Sequence, residues 1–208
     1  MRGNHSEEQG AAAACRVKKQ IASIPVFFPN FALNGLTVRA FNFLYYNKQV
    51  KPTAKARTHY EPFFYPLDIV GDWNRIYGKR GLLQFQCVVP SESEQRPIRE
   101  ILKVIVGSGR ASFLAVLKEF GSAESPGLLS FPKPGMTICL DFPNDGRVTF
   151  ELFNRLESMV AEMGGRMYPA KDACLSREHF QLFYPQWQEF AKFIDPRFSS
   201  SFWRRVTQ

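Results

Sequence analysis

The sequence predicts an α+β domain built around a β-α-β-β-α-β unit over residues 82–168. Three observations predict it. Apolar runs at Leu82–Val89, Ser112–Phe120 and Met136–Phe142 have strand length and are set off by Gly or Pro. Between and after them, Ile98, Ile101, Leu102 and Ile105, then Leu152, Phe153, Leu156 and Val160, recur at the spacing of one helical face. Glycines stop both helices, at Gly107 and Gly109 and at Gly164-Gly165. This order is the ferredoxin-like split arrangement. It implies an antiparallel sheet with both helices on one face and the other face free.

Taken in order, residues 1–23 are polar, Ala-rich and charged, and read as a disordered tail. Ile24 to Asn30 is an extended, Pro-punctuated entry into the body. Leu36, Ala40, Phe43 and Leu44 predict a helix over residues 36–47, to which Phe41, Tyr45 and Tyr46 add aromatic surface. Residues 48–60 read as a basic loop, Phe63 to Asp68 as extended, and Trp73 to Tyr77 as a helical turn. In the strand Leu82–Val89, Gln84 and Gln86 share one face while Leu83, Phe85 and Cys87 share the other. A helix follows over 93–107, then the strand 112–120 with Lys118 near its end, and a Gly/Ser/Pro loop over 121–135. The strand 136–142 puts Thr137, Cys139 and Asp141 on one face. A long helix over 148–163 leads to a short strand at Arg166–Tyr168. Helical pieces at 176–184, opened by a Ser cap, and at 187–194 precede an aromatic-basic segment, 198–206. These last elements are too few for a domain and read as a tail that docks elsewhere. The expected division is therefore a tail 1–23, a substrate-binding cap domain 24–165, and a docking segment 166–208.

The 208 residues are 45% hydrophobic with 20 Phe, enough for a sizeable core. The net charge of +8 is uneven: residues 1–60 hold nine Lys/Arg and two Glu, leaving 18 of the 27 basic and 17 of the 19 acidic residues for the rest. From Arg39 through Lys48, Lys51, Lys55 and Arg57 there is no acid. Such a patch suits a phosphate, a nucleic acid or an anionic membrane surface, and a solvated basic loop explains it equally. No apolar run approaches the ~20 residues of a membrane span, and Ala11–Ala14 is too short for a signal-peptide core. The expected location is cytoplasmic, with peripheral contact at the inner membrane surface through residues 39–57. Cys15, Cys87, Cys139 and Cys174 are too widely spaced for a zinc site, so no metal is expected.

The densest chemical signal is the run Gly164 to Asp172, which presents Tyr168 and Lys171 three residues apart just after a helix. A lysine so held can orient an anionic or hydroxylated substrate or stabilise developing negative charge; an ordinary surface lysine is the competing reading. On the free sheet face, Gln84, Gln86, Lys118, Cys139, Asp141 and Lys171 would converge. Two amides, two lysines, a thiol and a carboxylate suit a polyhydroxylated substrate, although water-facing strand positions are commonly polar.

Six ordered motifs carry a resemblance: Phe64-Tyr65-Pro66-Leu67-Asp68, Asp72-Trp73-Asn74-Arg75-Ile76-Tyr77-Gly78, Gln84-Phe85-Gln86, Leu129-Ser130-Phe131-Pro132, Ile138-Cys139-Leu140-Asp141-Phe142-Pro143 and the run Gly164 to Asp172. Over residues 24–206 the chain resembles the C-terminal half of the flavin-dependent oxidase subunits of decaprenylphosphoryl-β-D-ribose 2′-epimerase, in the vanillyl-alcohol-oxidase-like superfamily. The resemblance implies FAD as cofactor, a polyprenyl-phosphate sugar or polyol as substrate, and oxidation of its C2′ hydroxyl to a ketone before a partner reductase completes the epimerisation. It implies that Lys171 is the pocket lysine beside the flavin, that Tyr168 contacts FAD, and that Gln84, Gln86, Lys118, Cys139 and Asp141 line the substrate pocket. Because the FAD-binding domain of that family is absent from these residues, the isolated chain is expected to bind FAD poorly and to be inactive until an FAD-domain polypeptide is supplied. The related aldonolactone oxidases carry a His-Trp-Gly-Lys motif that this sequence lacks, since His179 is followed by Phe180. A lactone-oxidase fragment and a catalytically dead remnant are the alternatives. An RNA-binding module would need stacking aromatics on its central strands, and the run Met136 to Phe142 lacks that signature, so no nucleic acid is expected as a partner.

Overall fold

The computed structural model describes residues 22–29, 34–50, 53, 60, 70–91, 96–110 and 114–208. The tail expected over 1–23, except Ala22 and Ser23, and the motif Phe64 to Asp68 lie outside these residues. The chain forms two compact units, one of Met1–Val26 with Lys55–Trp73 and one of Phe27–Ala54 with Asn74–Gln208.

In the first unit, β1 (Ala22–Ser23) pairs in parallel with β2 (Val70–Gly71). Ser23 Oγ donates to Asp72 Oδ2 at 2.8 Å and Ile24 N to the Gly71 carbonyl at 3.0 Å. Two-residue strands have no alternation to read, which is why the sequence pattern does not announce them.

The second unit opens with α1 (Gly35–Asn47), whose capping box joins Asn34 and Thr37 and which buries no residue. Its sheet has the order β4 (Ala115–Phe120), β5 (Gly135–Pro143), β3 (Leu82–Val89), β6 (Arg166–Met167), with every neighbouring pair antiparallel. With α2 (Arg96–Gly107) between β3 and β4, and α3 (Arg147–Glu162) between β5 and β6, the sequence runs β-α-β-β-α-β. The α+β class with a four-stranded antiparallel sheet is as the sequence predicts.

One sheet face is apolar because strand side chains alternate. Phe85, Cys87 and Val89 from β3 and Ile138, Leu140 and Phe142 from β5 join the core with Ile98, Ile101 and Ile105 of α2 and Leu152, Phe153, Leu156 and Val160 of α3. Phe153 sits 5.5 Å from the Phe85 ring and 5.4 Å from the Phe142 ring. Gly135 starts β5 at φ 147°, and a Cβ there would meet the Val89 carbonyl oxygen at 2.1 Å, so only glycine lets the strands close at this end.

The C-terminal segment continues through α4 (Arg177–Phe183), α5 (Trp187–Ala191) and α6 (Ser201–Thr207). Ser176 and Ser200 cap α4 and α6 by accepting from His179 N and Trp203 N. Phe180, Phe183, Tyr184 and Val206 enter the same core as the sheet, and the stretch read from sequence as an aromatic-basic segment is the helix α6.

Candidate functional site

The register of β3 on β5 builds the site. Gln84 lies opposite Asp141 and Gln86 opposite Cys139, while Lys118 on β4 lies opposite Thr137. Directly opposed residues in an antiparallel pair share a face. All of them therefore occupy the face away from α2 and α3. Gln84 Nε2 donates to Asp141 Oδ1 at 2.7 Å, and Gln86 Nε2 to Thr137 Oγ1 at 3.4 Å.

Lys171 reaches this face from the far side of β6. The Tyr168 amide donates to the Gln86 carbonyl at 2.9 Å and extends the ladder by one bond. Pro169 then opens a 3-10 turn, Pro169–Lys171, closed by Lys171 N to the Tyr168 carbonyl at 3.1 Å. The lysine Nζ donates to Cys139 Sγ at 3.2 Å. The Tyr168 ring packs 4.6 Å from Phe131, which in turn lies 5.9 Å from Phe120. Lys118 shares the face but stays exposed on the edge strand, apart from these contacts.

One expectation needs correction. The face is not free over β5, where Thr137 is 1%, Cys139 6% and Asp141 0% exposed. The cause is local: Gln84, Gln86 and Lys171 lay their polar ends over three short side chains of a central strand. Burial raises the Asp141 carboxyl pKa above the usual carboxylate range, against the opposing pull of the Gln84 hydrogen bond and the Lys171 charge.

Two side-chain clamps hold the lysine turn, and the sequence pattern did not point to either. Asp172 accepts from Leu175 N at 2.5 Å and pairs with Arg205 of α6. Glu157 of α3, only 3% exposed, accepts from Ser176 N at 2.9 Å, Ser176 Oγ at 2.5 Å and His179 Nδ1 at 2.7 Å. A glutamate inside the stripe Phe153, Leu156, Val160 was the available signal. The loop before β5 is tied to the junction of α3 and β6, through Lys133 Nζ to the Gly164 carbonyl and Arg166 to the Ser130 carbonyl, both at 2.7 Å. Cys87 and Cys139 are buried free thiols, and no group of three metal-ligating side chains occurs among the described residues.

A lysine, a thiol, a buried carboxylate and two amides thus meet on one sheet face with an aromatic at its border. The chain is similar to decaprenylphosphoryl-β-D-ribose oxidase. The likeness is to the protein of Mycolicibacterium smegmatis and reaches 38% identity over 193 residues, which is 90% of this chain and 41% of the oxidase. It agrees with the resemblance carried by the ordered motifs. An uncharacterised protein encoded in the mprA 5′ region of Streptomyces coelicolor is 30% identical over 131 residues, 61% of this chain and 35% of its own length. The chain thus spans about two fifths or less of these relatives, the decaprenylphosphoryl-β-D-ribose oxidase included. No protein-family model matches it.

Proposed function

We propose that this chain supplies the substrate-binding portion of an FAD-linked oxidoreductase that oxidises a hydroxyl of a polyprenyl-phosphate sugar, such as the ribose C2′ position, to a ketone. The observation that carries the reading is the meeting of Lys171, Cys139, Asp141 and Gln84 on one face of the sheet, in a chain 38% identical to an oxidase of such a sugar. The donor set fits one edge of a flavin. Tyr168, backed by Phe131, offers aromatic surface, and the Lys171 amine offers a donor for a polar ring edge. When bound, the flavin supplies the hydride acceptor.

The chain's own residues would do the rest. Lys171 donates a hydrogen bond to the reacting sugar oxygen and stabilises the negative charge that builds there. Gln84 and Gln86 fix the orientation of the other hydroxyls, Asp141 holds the Gln84 amide from beneath, and Cys139 shapes the pocket floor beneath Lys171. Lys118, outermost on the same face, meets the phosphate. In this reading residues 166–208 bring Lys171 to the sheet and border an FAD domain supplied by further polypeptide, and residues 24–165 form the cap. Among the positions of β3 and β5 on this face none is aromatic, so bases would find no stacking platform there.

Co-expression with the FAD domain of the Mycolicibacterium smegmatis oxidase tests the proposal. Flavin absorbance that copurifies with both polypeptides, together with sugar oxidation, is the expected result; a complex with neither would refute it. In that reconstituted enzyme Lys171→Ala should retain flavin and lose about 100-fold or more in turnover. Unchanged turnover would remove Lys171 from the catalytic role.

A further inference from the structure

We propose that Cys139 and Lys171 form a reversible redox switch, in which a hydroperoxide oxidant joins the two side chains through a sulfur–nitrogen bond. The two groups are in contact, with Lys171 Nζ 3.2 Å from Cys139 Sγ. The backbone holds both ends of that contact. Cys139 sits in the middle of β5, opposite Gln86 of β3 on one side and Val116 of β4 on the other. Lys171 closes the 3-10 turn Pro169–Lys171, and the next residue, Asp172, is fixed by Leu175 N and by Arg205. A nucleophile held against its target acts at a very high effective concentration.

Among the described residues the competing groups point elsewhere. A sulfenic acid condenses with a thiol in reach or with a nitrogen. Cys87 is close in the sheet, opposite Ile138, but strand parity turns it into the core on the other face. Cys174 lies in electrostatic reach of Glu157, Asp172 and Arg205, and burial pushes its thiol up to about 12, as it does that of Cys87. The flanking amides are engaged as well, Gln84 with Asp141 and Gln86 with Thr137. The Lys171 amine is therefore the nitrogen placed against the sulfur. Cys139 is 6% exposed, which restricts the oxidant to a molecule as small as hydrogen peroxide.

Peroxide gives one oxygen to the thiol, leaving a sulfenic acid and one water, and the sulfur is oxidised by two electrons. Lys171 releases one ammonium proton to solvent, and its lone pair attacks the sulfur. The S–O bond breaks, and the oxygen leaves as a second water with a proton from nitrogen. A thiol reductant reverses the link, restoring thiol and amine as the reductant becomes a disulfide. The bond depends on the contact alone. Only its effect, withdrawal of the Lys171 amine from substrate, rests on the oxidoreductase reading.

Treatment of the full chain with hydrogen peroxide, followed by peptide mass spectrometry, tests the proposal. The expected product is a peptide pair joined through Cys139 and Lys171, about 2 Da lighter than the sum of its parts and split by dithiothreitol. Unfolding in urea before peroxide should lower its yield about tenfold or more, because the contact is lost. Lys171→Arg keeps a cation beside the sulfur without a primary amine, so its Cys139 should carry a sulfenic acid that dimedone traps. The urea comparison uses the parent chain and does not depend on how that variant folds. Cys139 that oxidises while Lys171 stays a free amine would overturn the proposal, as would Cys139 that stays a thiol in the folded chain. Equal yields of the joined peptides with and without urea would overturn it too.

Discussion

Replacing Glu157 by alanine tests how the lysine turn is held. Three donors end on one carboxylate oxygen that is otherwise sealed between α3 and α4. A hydrogen bond to an ionised acceptor contributes about 1.5–3 kcal/mol net. The variant does not lose three full bonds, for two reasons. Ser176 is exposed, so its N–H and O–H can turn to water, and the His179 ring is 23% exposed and partly rehydrates. The buried carboxylate also carries a desolvation cost that disappears with it. The expected net loss is about 2–4 kcal/mol. With a urea dependence of about 2 kcal/mol per molar, the midpoint should fall by about 1–2 M. Glu157→Gln keeps an acceptor oxygen without the charge and should fall about half as far. Adding His179→Ala to Glu157→Ala should cost little more, because both changes break the same contact. Equilibrium urea unfolding followed by circular dichroism reads all of these. A midpoint for Glu157→Ala within about 0.3 M of the parent would refute the clamp.

Two further predictions concern groups shifted by burial. The folded-state pKa of Asp141 is raised above its unfolded value, so its contribution to stability is full below the unfolded pKa of about 3.9 and is lost as pH rises through the folded value. Asp141→Asn should therefore be more stable than the parent at neutral pH, with the gap closing toward about pH 3; a variant equally destabilised at both ends would contradict this. The Cys87 thiol is pushed up to about 12 by burial. Iodoacetamide at mildly alkaline pH should leave it unmodified in the folded chain and label it in urea, as peptide mass spectrometry would read. Labelling of Cys87 at the unfolded rate without denaturant would show that the β3 core face is open.

The strands and helices were legible because their periodicities are clean. Leu82–Val89 alternates, and the Leu152 to Val160 stripe repeats at helical spacing, so existence and type followed from pattern alone. Parity within each strand was also legible, which placed Gln84 with Gln86 and Cys139 with Asp141. What the pattern could not supply was register. Only the pairing of β3 with β5 sets Gln84 against Asp141, and only the turn after β6 carries Lys171 to Cys139. Reach across the sheet was equally hidden: three polar side chains folding over β5 turned an expected open face into a covered one. The clamps at Glu157 and Asp172 join residues 19 to 33 positions apart, beyond any local rule.

The shortness of β6 has a consequence for the order in which the molecule comes together. Its ladder to β3 covers Arg166 and Met167 with one further bond from Tyr168, and the turn bearing Lys171 is then tied by Arg205 of α6. On the ribosome, the central pair of strands can close once Pro143 has emerged. The Asp172 contact to Arg205 forms only after α6 has been released. A chain clipped just ahead of Arg205 would lose that tie together with Val206, which is buried in the core beneath the sheet.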